Sequence, residues 1–554
     1  MIALLAVLYL SRLAGYPLQD PDEGRYTEIP REMLASGDWI TPRLNYVEYF
    51  EKPPLLYWLV GASLRGLGAT EGAARLVPAL AALGTVALTY ALSRRLLGTR
   101  AALLAVVILA TTPLFYVFSQ FVVIDMLLTF LLTACVGAIW LLRDGSPSET
   151  GWWPLIAAST AALAVLAKGL IGLALPGLVL LVASLVDRDR RTLASLARPG
   201  PIVCFLAIAA PWFVVMALRH PEFVHEFFVR EHLQRFATDE VGHPEGPLFY
   251  FPVLLGGALP WTLLATALAL TRSGRAAWRT IARERRRFLL VWITTVVVFF
   301  SAARSKLAGY VLPALPPTAM VLAAWLDRVD DDRMRDCRLP TAACAGLLLL
   351  LGSVLVLAGG ALPYFVPWLP RDVVPPTGSE MPQVRFALLM SGCASLAGGV
   401  WTLPVTGREA RPLATSVVAI AASLTLVLYA LIGVRALVPN SRRVAEAVAR
   451  IARPGDAIVQ YRTLMQGLPF YLHDRVIEVG DPGEIALGAK RSPERTRYFW
   501  DGIDQLAQAW SSERGVLVAT TPHHLPELMS RLTPTPRIVV HDGRRVLLAN
   551  HDTR

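Results

Sequence analysis

A multi-span α-helical membrane domain followed by a small soluble α/β domain is the fold class this chain predicts, and three observations predict it. Runs of about 20 apolar residues, the length that crosses a bilayer as a helix, recur up to residue 434. Arginines gather in alternate loops between those runs. After residue 434 the sequence turns polar, and short apolar stretches take on the two-residue alternation of strands.

Taken in order, hydropathy marks about thirteen spans in this 54% hydrophobic chain: 1–13, 74–93, 101–118, 122–142, 153–167, 169–186, 201–218, 248–271, 288–303, 310–326, 341–362, 385–404 and 412–434. The first is too short to cross and no small-residue cleavage site follows it, so its start is expected upstream of Met1. The loop at 14–73 is long. Within it TEIPREMLAS and PPLLYWLVGASLRGLG have amphipathic helical character and are expected to lie along the membrane surface, with Pro30 interrupting the first. Residues 1–434 thus read as the membrane domain and 435–554 as the α/β domain. There DAIVQY, RVIEVG, GVLVAT and RIVVHDGRRVLLAN read as strands, the last a hairpin turning at Asp-Gly. SRRVAEAVARIA and GIDQLAQAWSS have helical periodicity. The five cysteines lie in or beside apolar spans and have no metal spacing, which excludes a disulfide framework and a cysteine zinc site.

A net charge of +11 raises the question of nucleic acid, and its placement answers it. The basic clusters are Arg94, Arg95 and Arg100; Arg188, Arg190, Arg191 and Arg198; the run from Arg272 to Arg287; Arg328 to Arg338; and Arg408 and Arg411. They fall in alternate loops, the positive-inside pattern, so those loops face the cytoplasm and nucleic acid is not an expected partner. The segments 14–73, 119–121, 168, 219–247, 304–309 and 363–384 then face outward with everything after about 435, and every chemistry-bearing residue below falls on that side.

Asp20, Asp22, Glu23 and Arg25 crowd into six residues at a membrane boundary, where desolvating ionisable groups is costly and function is the default reading. Asp22 and Glu23 suit a general base or a divalent cation, or else cap the helix that follows; Arg25 suits a phosphate. In YFEKPPLLYW, Glu51 and Lys52 follow Tyr49 and precede two stiffening prolines, an arrangement that suits a lipid phosphate or an interfacial ion pair. The chain has four lysines, and Lys52, Lys168 and Lys306 sit at outer membrane boundaries. An ammonium there is a compact charge for a phosphate or sugar oxygen. Asp125 begins a span and needs a partner: Lys168, Arg25, a cation or an amine-bearing substrate. His232 and Arg235 share a helix face, and Arg235 suits a phosphate held bidentately. Tyr310 suits a hydroxyl donated to the same phosphate, or an aromatic anchor.

At these residues the chain resembles a known family. QDPDEGRYTEIPREML and GDWITPRLNYVEYFEKPPLLYW are similar to the polytopic glycosyltransferases of the GT-C type, on the branch of the lipid A 4-amino-4-deoxy-L-arabinose transferases, with protein O-mannosyltransferases more distant. The resemblance implies a GT-C fold of about thirteen transmembrane helices and transfer of aminoarabinose from undecaprenyl phosphate to lipid A at the periplasmic face of the inner membrane, by a monomer. It implies that Asp22 is the essential acidic residue, that Lys52, Arg235 and Tyr310 hold the donor phosphate, that Glu51 and Asp125 line the sugar cavity, and that Lys168 is a cavity residue. Arg25 joins the phosphate set, and Tyr49, Glu23, His232 and Lys306 the cavity. A divalent cation is implied near Asp22 and Glu23, and the resemblance leaves open whether this branch needs it. Pro30 stands where relatives carry a small residue. Transfer of a hexose such as mannose is the alternative within the fold. A lipid-linked sugar transporter is the alternative outside it; against it, the charges gather at the outer surface rather than the bilayer midplane.

Overall fold

The computed structural model describes residues 2–145, 151–234, 244–329, 338–365, 381–403, 413–432, 440–512, 514–541 and 544–551. The chain is a multi-pass membrane protein. Among the described residues six helices are long and apolar enough to cross a bilayer unaided: Glu71–Leu97, Ile124–Asp144, Pro199–Arg219, Ala308–Asp327, Ala342–Tyr364 and Met381–Thr402. Two expected spans are each a bent pair, Thr99–Thr111 with Pro113–Ser119 at 64° and Tyr250–Gly257 with Trp261–Leu270 at 97°. Each break carries a proline (Pro113, Pro260), whose ring and missing N–H prevent the helix from continuing. Trp153–Lys168 and Ile171–Asp187 are shorter and antiparallel through a tight turn.

Ion pairs mark both ends of the helix Ile124–Asp144. At its C-terminus Arg143 bonds Asp187 at 2.5 Å, and Arg287 shares that carboxylate. At its N-terminus Asp125 meets Lys168. Between them the helix buries an apolar stretch that includes Leu127, Leu128, Leu131, Leu132 and Val136. The charges are thus confined to the two ends of the span, where desolvation is cheapest.

In the first long loop, helices Asp22–Ser36 and Leu55–Leu67 flank a two-stranded hairpin, β1 (Arg43–Leu44) and β2 (Val47–Glu48). The first helix does not stop at Pro30, as its sequence predicts. It runs through to Ser36 and ends on Gly37 in the left-handed conformation. The reason is tertiary: ten of its residues are buried, and that packing outweighs the hydrogen bond Pro30 removes. Nor does this helix present one apolar face to lipid, since its buried set includes Glu23, Glu28, Arg31 and Glu32.

The C-terminal residues form a six-stranded sheet in the order β5-β4-β3-β6-β8-β7. Its strands are β3 (Ala457–Tyr461), β4 (Ile477–Val479), β5 (Phe499–Trp500), β6 (Val516–Thr520), β7 (Arg537–His541) and β8 (Val546–Ala549). The first four in that order are parallel, and β8 and β7 are antiparallel additions. Alternation sorts the side chains as the sequence pattern requires. Val516, Val518, Val546 and Leu548 pack on helices Ile503–Trp510 and Leu525–Arg531, while Leu517, Ala519, Leu547 and Ala549 pack on Arg442–Ile451. The Asp-Gly of the expected hairpin turn lies outside the described residues.

This sheet unit grips the first long loop closely. Asp20 accepts from the Ser441 hydroxyl and from the Gly467 N–H at 2.8 Å, and Tyr471 accepts from the Leu18 N–H at 2.7 Å. Asn45, at the hairpin tip, exchanges two bonds with the Val476 backbone, donating at 2.9 Å and accepting at 3.1 Å, as a paired strand does. Gly24 allows the approach: a Cβ there would collide with the Gly467 backbone.

Candidate active site

The site is built from the first turn of the helix Asp22–Ser36. Consecutive helical residues point about 100° apart, so Asp22 and Glu23 diverge. Asp22 keeps half of its side chain exposed and bonds Arg25 one turn on. Glu23 turns into the core. One of its oxygens accepts from Arg75 at 2.7 Å and the Val122 N–H at 3.1 Å, the other from Arg75 at 2.8 Å and the Gln19 N–H at 3.1 Å. Arg75 also donates to the carbonyls of Leu13, Tyr16 and Pro17. This bidentate, fully desolvated pair ties residues 13–17, the helix Asp22–Ser36 and the helix Glu71–Leu97 together.

Both oxygens of Glu23, expected at the cavity and a cation, are engaged by protein donors. The pair Asp22 and Glu23 does not fit a divalent cation. Among the described residues, Glu48, His220 and Glu222 lie close enough together to share one. Arg491 already serves those carboxylates, at 3.5 Å from Glu48 and in contact with Glu222.

Lys52 emerges from the rigid Pro53-Pro54 entry to the helix Leu55–Leu67. It donates to Glu231 at 2.8 Å and to its neighbour's carbonyl at 3.1 Å. Glu51 accepts from the Tyr49 hydroxyl at 2.8 Å and lies 4.0 Å from Lys52. Burial pushes its carboxyl above the usual range; Lys52 and Arg25 oppose the shift, and Glu231 and Glu484 add to it. Arg25 reaches the other way to Glu484 of the C-terminal domain.

Asp125 and Lys168 pair at 2.5 Å, and the Lys168 ammonium lies 4.1 Å from the centre of the Tyr310 ring, a cation–π contact. Gly309 brings the backbone before Tyr310 against this pair, since a Cβ there would stand 3.0 Å from Asp125 Cγ. Tyr26 links the two groups: it packs on Tyr57 and senses the charges of Arg25, Asp22, Asp125 and Glu51.

Lys306 is placed otherwise than expected. It is buried and donates to the carbonyls of Glu245, at 2.7 Å, and Ala303, which closes a loop. His232 lies on the helix His225–Gln234. Its side chain and all of Arg235 fall outside the described residues. Sequence reasoning missed Arg75, Glu231, Tyr26 and Glu484. Glu231 had a signal, since it adjoins His232 in a loop already singled out; Glu484 had none.

The architecture, a helical membrane bundle with a structured first loop and a C-terminal sheet unit, is that of the GT-C class of polytopic membrane proteins. Residues 6–227 match the family model of dolichyl-phosphate-mannose-protein mannosyltransferases, and residues 444–550 match that of the aminoarabinose transferase C-terminal domain. The undecaprenyl phosphate-alpha-4-amino-4-deoxy-L-arabinose arabinosyl transferase of Pectobacterium carotovorum is 36% identical over 65% of this chain and 64% of its own length. The Edwardsiella ictaluri protein of the same name is 34% identical over 61% of each. The chain thus spans just under two thirds of the length of these curated relatives. The crystal structure of ArnT from Cupriavidus metallidurans bound to undecaprenyl phosphate superposes with a TM-score of 0.83 at 28% identity, over 99% of this chain and 97% of that one. Within the GT-C class the chain is ArnT-like.

Proposed function

We propose that this protein transfers 4-amino-4-deoxy-L-arabinose from undecaprenyl phosphate to lipid A at the periplasmic face of the bacterial inner membrane. We further assign residues 1–434 to the catalytic membrane domain and 435–554 to a periplasmic domain. The observation that supports the reading is that the charges of Arg25, Asp22, Asp125 and Glu51 all act on Tyr26, with Lys168 paired to Asp125 and Lys52 4.0 Å from Glu51. Likeness to an ArnT bound to undecaprenyl phosphate supports the choice of carrier.

The chemistry follows from charge. An oxygen of a lipid A phosphate attacks the sugar C1, the bond from C1 to the carrier phosphate oxygen breaks, and undecaprenyl phosphate leaves. That acceptor is already an anion and needs no general base. Negative charge grows on the departing phosphate, and cations set at that oxygen stabilise the transition state more than the ground state. Lys52 and Arg25 supply them, with Arg235 and the Tyr310 hydroxyl assigned to the same phosphate. Asp22, Glu51 and Asp125 face the sugar, where carboxylates orient it, pair with its 4-amino group and favour positive character at C1.

The test is lipid A mass in cells lacking their own transferase, with and without this gene. The expected result is a new species carrying aminoarabinose, together with raised polymyxin resistance. Unchanged lipid A, with label from polyprenyl-phosphate mannose entering protein, would favour the hexose reading that the mannosyltransferase family match keeps open.

A further inference from the structure

Among the groups meeting at Arg25, one comes from outside the membrane bundle. Glu484 sits on the short turn Gly483–Ile485 of the C-terminal domain, fixed by the Asp481 carboxylate accepting from the Gly483 N–H at 2.9 Å. One of its oxygens bonds Arg25 Nη1. The other accepts from Gln466 Nε2 at 2.8 Å, which fixes the direction of the carboxylate. Arg25 Nη2 bonds Asp22, and its Nε is buried with no hydrogen-bond partner. The two carboxylates therefore decide how this guanidinium is turned.

We propose that Glu484 is a positioning residue for transfer: by holding Arg25, it sets the orientation of Asp22 and of the cation offered to the donor phosphate. This rests on the glycosyl-transfer reading above. It gives the C-terminal domain a part in the reaction, through a residue that does not touch substrate.

The bland alternative is that Glu484 only fastens two domains. Docking has other fasteners: Asp20 with Ser441 and Gly467, Asn45 with Val476, and Arg442 with Glu71. Losing one charge at Glu484 leaves all of these in place. The groups around Glu51 are Tyr49, Lys52, Glu231, Arg25 and Glu484; burial holds its carboxyl up, and the charges of Glu231 and then Glu484 add to that shift against Lys52 and Arg25.

The experiment uses the full-length protein in nanodiscs with labelled undecaprenyl phosphate-aminoarabinose, comparing Glu484→Gln, Glu484→Asp and, as a docking control, Arg442→Ala. Misplaced catalytic groups cost about 10- to 100-fold. We expect Glu484→Gln to lose kcat on that scale with donor KM little changed, and Glu484→Asp to recover part of the loss. Arg442→Ala should stay near wild type. With a negative charge removed beside Glu51, the limb of the pH profile that Glu51 sets should move to lower pH in Glu484→Gln. A normal kcat and an unmoved profile in that variant overturn the proposal, as does an equal loss in Arg442→Ala. If the wild type transfers no aminoarabinose, the functional reading fails instead. The proposal is then decided by cryo-EM of Glu484→Gln: it predicts Arg25 turned off Asp22, and an unmoved Arg25 refutes it.

Discussion

Replacing Asp22 by Asn and Glu23 by Gln should give opposite phenotypes, although the two residues are neighbours. Asp22→Asn removes a half-exposed carboxylate from the site while leaving Arg25 its bond to Glu484. Transfer is lost, and the melting temperature in detergent barely moves. Glu23→Gln leaves Arg75 fully buried without its counter-charge, a change that costs about 3–5 kcal/mol. Its signature is a lowered melting temperature and poor insertion. Lys52→Ala belongs with the first kind: losing a donor aimed at developing charge costs about 10²–10³ in kcat. A Lys52→Ala enzyme with wild-type turnover would remove that residue from the site. The contrast also marks where the sequence stopped being legible. The string PDEGR announces a charged boundary but carries no sign that one turn of helix sends Asp22 to water and Glu23 to Arg75, a residue 52 positions away. Lys306 shows the same limit, because a cation at a membrane boundary looks alike in sequence whether or not it bonds backbone carbonyls, as it does at Glu245.

At the scale of elements, local pattern was readable and partners were not. The hairpin tip shows both. Asn45 and Tyr46 take positive φ values of 51° and 62°, the conformation of a tight hairpin turn for which Asn is well suited. Nothing in the sequence says that Asn45 then bonds the backbone beside β4. Its side chain also approaches Glu478 at 3.4 Å, and burial pushes the Glu478 carboxyl well above its usual range. The sign of the consequence follows. The folded chain keeps a proton on Glu478 that the unfolded chain releases above about pH 4.3. As pH rises past that value, stability falls by about 1.4 kcal/mol per pH unit until the folded group also ionises. Glu478→Gln keeps the shape and removes the proton uptake. Its melting temperature should therefore exceed that of wild type at pH 8, with the gap closing towards pH 4. A gap that stays constant with pH would mean that Glu478 is ionised in the folded protein. The helix through Pro30 is the converse case: there the local signal was plain and tertiary burial overrode it.

At the scale of the whole molecule, the turn that carries Asp22 is held between two bodies that the sequence presents as separate. The membrane bundle fixes Glu23 through Arg75; the C-terminal sheet fixes Asp20 through Ser441, Gly467 and Arg545. Asp22 stands between these anchors, so its position depends on both remaining docked. Gly24 is where this dependence is most exposed to test. Its missing side chain leaves room for the Gly467 backbone, and backbone does not yield as the end of a flexible side chain does. Gly24→Ala must therefore push the sheet unit away from the helix. Gly66, on the next helix of the same loop, has open space where its Cβ would be, and Gly66→Ala is the matched control for adding a methyl group. Both variants should insert, since neither touches a membrane-spanning helix. Gly24→Ala should lose most transfer and release the C-terminal domain more readily when proteinase K is added to spheroplasts. Gly66→Ala should match wild type in both assays. Full activity in Gly24→Ala would show that the sheet domain can part from the catalytic turn without cost. Asp22 would then owe its position to the membrane bundle alone.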